Sequence, residues 1–285
     1  MTPLPDIVGV IGGGRMGAGI AQVFAAAGAT VTIVEADPDA AAHARDRVAR
    51  GLARAAEKHF TAEHPDETLL RLRTVTSPAD LPPNADLVIE AVPEIAAAKI
   101  AVLTAAEHAV ADSTILASNT SSLSIAEIGA TLRSPQRFLG MHFFNPVPAS
   151  VLVEVVHART TDVDTVSAVL GWVKALGRTE VLVADSPGFA TSRLGVALGL
   201  EAIRMLEEGV ADAASIDRAM ELGYRHPMGP LRSTDLVGLD VRLDIADHLH
   251  VTLGDRFRPP QLLRDKVARG ELGRKSGQGF HSWPA

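Results

Sequence analysis

The chain has 285 residues, enough for one large or two ordinary domains, and 47% hydrophobic with 21% charged residues allows a substantial buried core. A net charge of −7, one Tyr and two Trp argue against nucleic acid as a partner, because neither a basic field nor a stacking platform is present. The absence of cysteine excludes disulfides, thiolate nucleophiles and cysteine zinc sites. With no signal-like N-terminus and no apolar run long enough for a membrane span, a cytoplasmic protein is expected.

Strand-like and helix-like stretches alternate from the start. Ile7–Ile11 is a β-branched run that meets a glycine cluster, and a helix is expected from Arg15 to Ala27, stopped by Gly28. Thr30–Val34 reads as a second strand, followed by an Ala- and Arg-rich helix over about 38–59. Leu87–Val92 and Thr114–Ala117 are further strands, with a helix between them expected to begin near Pro93. Arg137–Phe144 and Val151–Val156 follow as strands, then a helix over 162–176 and a strand at Glu180–Val183. This order predicts an α/β fold, a parallel sheet with helices on both faces. Asp185-Ser186-Pro187-Gly188 reads as a linker, and beyond it the pattern is helical, at 190–208, 212–222, 234–253 and 260–269. The expected domains are 1–185, of Rossmann type, and 186–285, all-α.

Gly12-Gly13-Gly14-Arg15-Met16-Gly17 is a G-x-G-x-x-G between strand and helix. That pattern suits a tight turn whose backbone approaches a pyrophosphate, with helix N–H groups offered to the phosphates. Glu35 ends the second strand, where an acid accepts hydrogen bonds from the adenine ribose and repels a 2′-phosphate, so NAD is expected rather than NADP.

His142 stands in the apolar run Gly140-Met141-His142-Phe143-Phe144, and Glu154 stands in another, Val151–Val156. A buried imidazole is costly unless hydrogen-bonded. Two strands joined by the short loop 145–150 could bring it to Glu154, and a buried acid that orients an imidazole makes it a general base. Alcohol oxidation needs such a base while a nicotinamide takes the hydride. The polar cluster Ser118-Asn119-Thr120-Ser121-Ser122 follows a strand at the sheet edge where ligands bind in such folds.

These stretches, with Asp86-to-Glu94 DLVIEAVPE, LASNTSSLSI, DSPGF, PMGP, DLVGLD and LGRKSGQGF, run in one order over nearly the whole chain. Together they resemble the L-3-hydroxyacyl-CoA dehydrogenase family in its short bacterial 3-hydroxybutyryl-CoA form. The resemblance implies a Rossmann domain, a helical domain that dimerises, NAD as cofactor and an acyl-CoA thioester as substrate. It makes His142 the base, Glu154 its partner and Ser121 a hydrogen-bonding group for the substrate oxygen or for the histidine. Glu94, Lys99 and Asn145 match positions that contact the nicotinamide half of NAD, and Lys275 matches a further cofactor contact; surface ion pairs would account for Glu94 and Lys99 equally well.

Arg47, Arg50, Arg54 and Lys58 fall on one helical face, and segment 45–58 carries a local charge of +3. Either a solvated face or an anchor for a phosphate-bearing handle accounts for it; the family places coenzyme A contacts at positions matching Arg54 and Lys58. Two residues depart from the family pattern: Ser192 replaces an asparagine expected to hold the substrate carbonyl, and Val151 replaces a lysine. Three readings therefore stay open: a 3-hydroxyacyl-CoA dehydrogenase with a modified pocket, a paralogue using an acyl carrier protein thioester, or a weakly active NAD-binding protein. Asp244, Asp247, His248 and His250 cluster on a helix without ligand geometry, and no metal is expected.

Overall fold

Runs of β-branched and aliphatic residues form the first strands because both faces of their sheet are covered. The computed structural model describes residues 3–57 and 63–284. They form two compact units, Met1–Asp185 and Ser186–Ala285.

The first unit contains strands β1 (Ile7–Ile11), β2 (Thr30–Val34), β3 (Leu72–Val75), β4 (Leu87–Glu90), β5 (Ile115–Ser118), β6 (Phe138–Phe143), β7 (Leu152–His157) and β8 (Thr179–Ala184). They form one sheet in the order β3-β2-β1-β4-β5-β6-β7-β8. Helices α1 (Arg15–Ala26), α2 (Pro38–Glu57), α3 (Pro65–Leu70), α4 (Ala96–Ala109), α5 (Ile125–Gly129) and α6 (Val163–Ala175) connect them. Strands β1 to β6 are parallel, so the sheet has its topological switch point between β1 and β4. Phe24, Ile20, Val48 and Leu52 from α1 and α2 join Val8, Val10, Ile33 and Ile89 of the sheet in one core.

The sheet is parallel as expected except for one reversal. β7 runs antiparallel to β6, and β8 is parallel to β7. The loop over 144–151 is too short for a crossover, which takes a dozen or more residues, so the chain must reverse. The helix after β4 also starts later than Pro93. Ile95 N donates to Pro93 O at 2.7 Å, closing a turn, and α4 begins at Ala96. Strand β3 and helices α3 and α5 carry too little periodicity to be seen in the sequence. β3 reads LRTV, with Arg73 donating to Thr32 Oγ1 at 2.8 Å.

The second unit contains α7 (Thr191–Glu207), α8 (Ala213–Gly223), α9 (Pro230–Val237), α10 (Leu239–Leu253) and α11 (Gln261–Ala268) around a core of Val196, Leu200, Ile203, Leu231, Leu249 and Leu263. The single helix expected over 234–253 is two helices, because Gly238 has φ +108°, outside the helical range. The glycine-rich tail wraps onto α9. Buried Asp235 accepts from Phe280 N (2.8 Å), His281 N (2.8 Å) and Trp283 Nε1 (2.9 Å). A Cβ at Gly279 would stand 2.1 Å from Asp235 Oδ1, so only glycine lets the tail close on the acid.

Candidate active site

At the switch point the carboxyl ends of β1 and β4 diverge into loops, and a groove of about 530 Å³ opens there. Gly12, Gly14, Arg15, Met16, Glu35 and Pro93 are among its lining residues. Gly12 has φ +93°, and a Cβ there would meet Ala91 O at 2.9 Å. A Cβ at Gly17 would lie 1.7 Å from Gly12 O, so helix and turn approach each other only through glycine. Nothing lies within 4 Å of the Cβ position at Gly14, which leaves the first turn of α1 open to a ligand. Glu35 Oε1 accepts from Gly13 N at 2.6 Å, and Arg47 Nη1 donates to Gly13 O at 3.1 Å. The loop is thus held from outside while its inner face stays clear. This cradle fits the pyrophosphate and adenosine ribose of a dinucleotide.

Register places the second group of residues. Glu90 of β4 is level with Ile11 and with Ser118 of β5, and Ser118 is level with Gly140 of β6. His142 lies two residues further out on β6, roughly 7 Å toward the carboxyl edge and on the same face as position 140. Glu154 of β7 stands directly opposite His142. Cross-strand neighbours on one face meet, and His142 Nδ1–H donates to Glu154 Oε2 at 2.8 Å. Glu154 is fully buried and His142 is 7% exposed. The Phe144 ring packs against the imidazole at a centroid distance of 4.3 Å. With Nδ1 committed to the carboxylate, proton exchange falls to Nε2.

A buried charge network ties the loop after β4 to the one after β5. Glu90 is fully buried and Lys99 is 1% exposed. Lys99 Nζ donates to Glu90 Oε1 at 2.8 Å and to Val92 O at 3.1 Å, and pairs with Glu94 Oε2 at 3.1 Å. Glu90 Oε2 accepts from Ser118 Oγ at 2.7 Å. Glu94 Oε1 accepts from Thr120 Oγ1 at 2.5 Å and from Ser121 N at 2.9 Å. Burial raises the Glu90 carboxyl above its ordinary value, against the lowering influence of Lys99 and Ser118. For Glu94 burial also raises, but Lys99 and the bonds from Thr120 and Ser121 outweigh it, and the carboxyl sits below its ordinary value.

The structure therefore brings together Glu35 with the glycine loop, Glu94 and Lys99 with Ser121, and His142 with Glu154. Lys99 is thus a buried member of this network and not half of a surface ion pair. Asn145 is exposed in the loop after β6, at a cis Asn145–Pro146 bond, and that loop is anchored by Val147 against Gly19 of α1. Arg54 is exposed on α2; Lys58 lies outside the described residues. Of the basic segment, Arg45 donates to Leu72 O (2.6 Å) and Leu69 O (3.3 Å), so it staples α2 to its neighbours rather than facing a ligand. Ser192 lies in the first turn of α7, and Lys275 pairs with Asp240 at the start of α10, both in the second unit. Two residues escaped sequence reasoning. Glu90 is an acid ending the apolar run LVIE, a signal available in the sequence. Asn119 Oδ1 accepts from Phe143 N at 2.9 Å and fixes the strand beside His142, which only the fold reveals.

Among the described residues no helix is long and apolar enough to cross a membrane, and no group of three or more His, Cys, Asp or Glu could hold a metal.

Comparison with known proteins identifies the architecture. The family model for "3-hydroxyacyl-CoA dehydrogenase, NAD binding domain" matches residues 7–186, and that for "3-hydroxyacyl-CoA dehydrogenase, C-terminal domain" matches residues 188–283. The chain is 40% identical over 279 residues to a 3-hydroxybutyryl-CoA dehydrogenase of Mycobacterium tuberculosis, covering 97% of this chain and 98% of the relative. It is 41% identical over 284 residues to the mitochondrial hydroxyacyl-coenzyme A dehydrogenase of Rattus norvegicus, covering 97% of this chain and 90% of that one. The crystal structure of (S)-3-hydroxybutyryl-CoA dehydrogenase from Ralstonia eutropha superposes with a TM-score of 0.94 at 38% identity, over 99% of this chain and 100% of that one. The glycine cradle at the sheet's switch point is thus that of an NAD-binding domain, and the chain belongs to the 3-hydroxyacyl-CoA dehydrogenase family.

Proposed function

We propose that this protein interconverts an L-3-hydroxyacyl thioester of coenzyme A and its 3-oxoacyl form, using NAD. The observation that carries the reading is the buried His142–Glu154 pair at the carboxyl edge of the sheet that also carries the glycine cradle.

Gly12, Gly14 and Gly17 would hold the pyrophosphate, with Arg15 and Met16 at its side and Glu35 on the adenine ribose. Held there, NAD supplies the hydride acceptor for oxidation and, when reduced, the donor for the reverse reaction. In the oxidative direction His142 Nε2 removes the proton of the 3-hydroxyl; in the reductive direction it returns it. Glu154 holds the ring in the tautomer that leaves Nε2 able to accept, and its charge stabilises the imidazolium that forms. Ser121 and Ser192 hydrogen-bond the substrate oxygens. Glu94 and Asn145 position the nicotinamide half. Lys99 acts through Glu94, because its ammonium is enclosed and shared by two carboxylates. Lys275 is a further cofactor contact, and Arg54 and Lys58 receive the coenzyme A phosphates. We place the protein in the cytoplasm as a homodimer; exposed Leu194 and Val251 on helices of the second unit suit a partner.

NADH oxidation by the purified protein with acetoacetyl-CoA tests the reading, with His142→Ala beside it. Turnover by the wild type is expected, and the variant should lose it while still binding NADH. Absence of wild-type turnover on any 3-oxoacyl-CoA, with NADH bound, would refute it.

A further inference from the structure

Strand β4 reads Leu-Val-Ile-Glu, and its first three side chains are fully buried aliphatics. Glu90, the fourth, is equally buried, at a place where a carboxylate is costly and an aliphatic residue would continue the core. Its pairing with Lys99 does not by itself account for it, because apolar residues of the same volume often serve a core as well as a buried ion pair. What the carboxylate holds is more telling. Oε1 accepts from Val92 N at 2.6 Å and from Lys99 Nζ at 2.8 Å, and Oε2 accepts from Ser118 Oγ at 2.7 Å. Ser118 Oγ in turn accepts from Thr120 N at 3.1 Å, and Glu90 O accepts from Asn119 N at 2.8 Å. Lys99 carries the hold onward to Val92 O and Glu94. One buried side chain thus fixes the start of two loops, 91–95 after β4 and 119–124 after β5.

Ala91, Val92 and Pro93 of the first loop line the groove together with Gly12, Gly14 and Glu35. Glu35 follows β2, on one side of β1, and β4 lies on the other side. A dinucleotide with its adenosine ribose at Glu35 and its pyrophosphate over the glycine turn therefore extends its nicotinamide half toward the loop after β4. Glu90 itself is shut away from the groove and engaged by the chain, so it acts only through the groups that it holds.

We infer that Glu90 is a positioning residue for the cofactor: through Val92, Lys99 and Ser118 it keeps the loops after β4 and β5 in the shape that receives the nicotinamide half of NAD. The inference rests on the reading that Glu94, in the first of these loops, contacts that half. It requires that Glu90 contribute to binding the nicotinamide half and not to binding the adenosine half, which belongs to Glu35 and the glycine turn.

The test measures dissociation constants by calorimetry, on the full-length protein, for NADH and for ADP-ribose, which lacks the nicotinamide. The wild type should bind NADH more tightly than ADP-ribose. Glu90→Met keeps the volume and removes the three bonds; NADH affinity should fall about tenfold, in keeping with the loss of one hydrogen bond to a charged group, with ADP-ribose affinity within about twofold of the wild type. Glu90→Gln keeps an oxygen for Val92 N and Lys99 and an amide for Ser118 Oγ, and should recover NADH affinity to within about threefold of the wild type. Ile89→Ala opens a cavity one residue earlier on the same strand, so it lowers stability but should leave the ratio of the two affinities unchanged. A ratio unmoved in Glu90→Met, or a shift of the same size in Ile89→Ala, overturns the inference. So does a Glu90→Gln as impaired as Glu90→Met, because a lost charge alone would then be the cause. Should Glu90→Met not fold, Ser118→Ala removes one of the three bonds; a fall of about threefold in NADH affinity is expected, and an unmoved ratio overturns the inference. A wild type that binds NADH and ADP-ribose equally removes the reading of Glu94 and the inference with it, whereas wild-type discrimination that survives in Glu90→Met removes the inference alone. None of these outcomes depends on turnover of an acyl thioester.

Discussion

Glu154→Gln changes one atom of the buried pair and leaves its volume intact. The carboxylate is fully buried and its Oε2 accepts from His142 Nδ1 at 2.8 Å. An imidazolium formed during oxidation has its charge roughly 4 Å from that of the carboxylate; at an effective dielectric of about 20 the attraction is about 4 kcal/mol. Since each 1.36 kcal/mol is tenfold in rate, losing it should slow the step about 10³-fold. The amide adds a second fault: its NH₂ can turn toward Nδ1 and favour the tautomer with hydrogen on Nε2, which cannot accept a proton. The assay is kcat for 3-hydroxybutyryl-CoA oxidation, with the NADH dissociation constant measured by fluorescence and folding checked by circular dichroism. The expected outcome is a kcat reduced about 10³-fold, an unaltered NADH affinity and native spectra. A kcat within tenfold of the wild type in a folded variant would refute the role given to the pair.

Three other variants probe separate links. Glu35→Ser should raise kcat/KM with NADPH at least about tenfold by removing the charge that repels a 2′-phosphate; continued rejection of NADPH would show that Glu35 does not set the preference. Ser192→Asn should raise kcat on acetoacetyl-CoA if a missing amide donor limits the rate, by up to about 100-fold; an unchanged kcat removes that explanation. Lys99→Met strands Glu90, and breaking a buried ion pair from one side costs about 3–5 kcal/mol, which corresponds to a melting temperature lower by about 10 °C. The sign of its pH dependence follows from burial. A carboxyl whose folded value is raised takes up a proton on folding, so its stability contribution is greatest below the unfolded value and is lost as pH rises toward the folded one. The variant should therefore lose less stability at mildly acidic pH than at alkaline pH, measured by thermal unfolding; the opposite trend would mean that Glu90 remains ionised and solvated.

The sequence by itself determined what local chemistry controls. β1 and β2 follow from uninterrupted β-branched runs, and the glycine loop from the three positions where backbone must touch backbone or ligand. His142 and Glu154 stood out because each is a costly polar group in an apolar strand, and the short loop between them limited how far apart they could lie. What the tertiary structure decided are matters of register and partnership. The antiparallel turn of β7 sets His142 opposite Glu154 rather than one residue off, which would put the two on opposite faces. The pairing of Lys99 with Glu90 depends on a helix folding back over its own strand, and the length of that turn is not encoded by any one residue type.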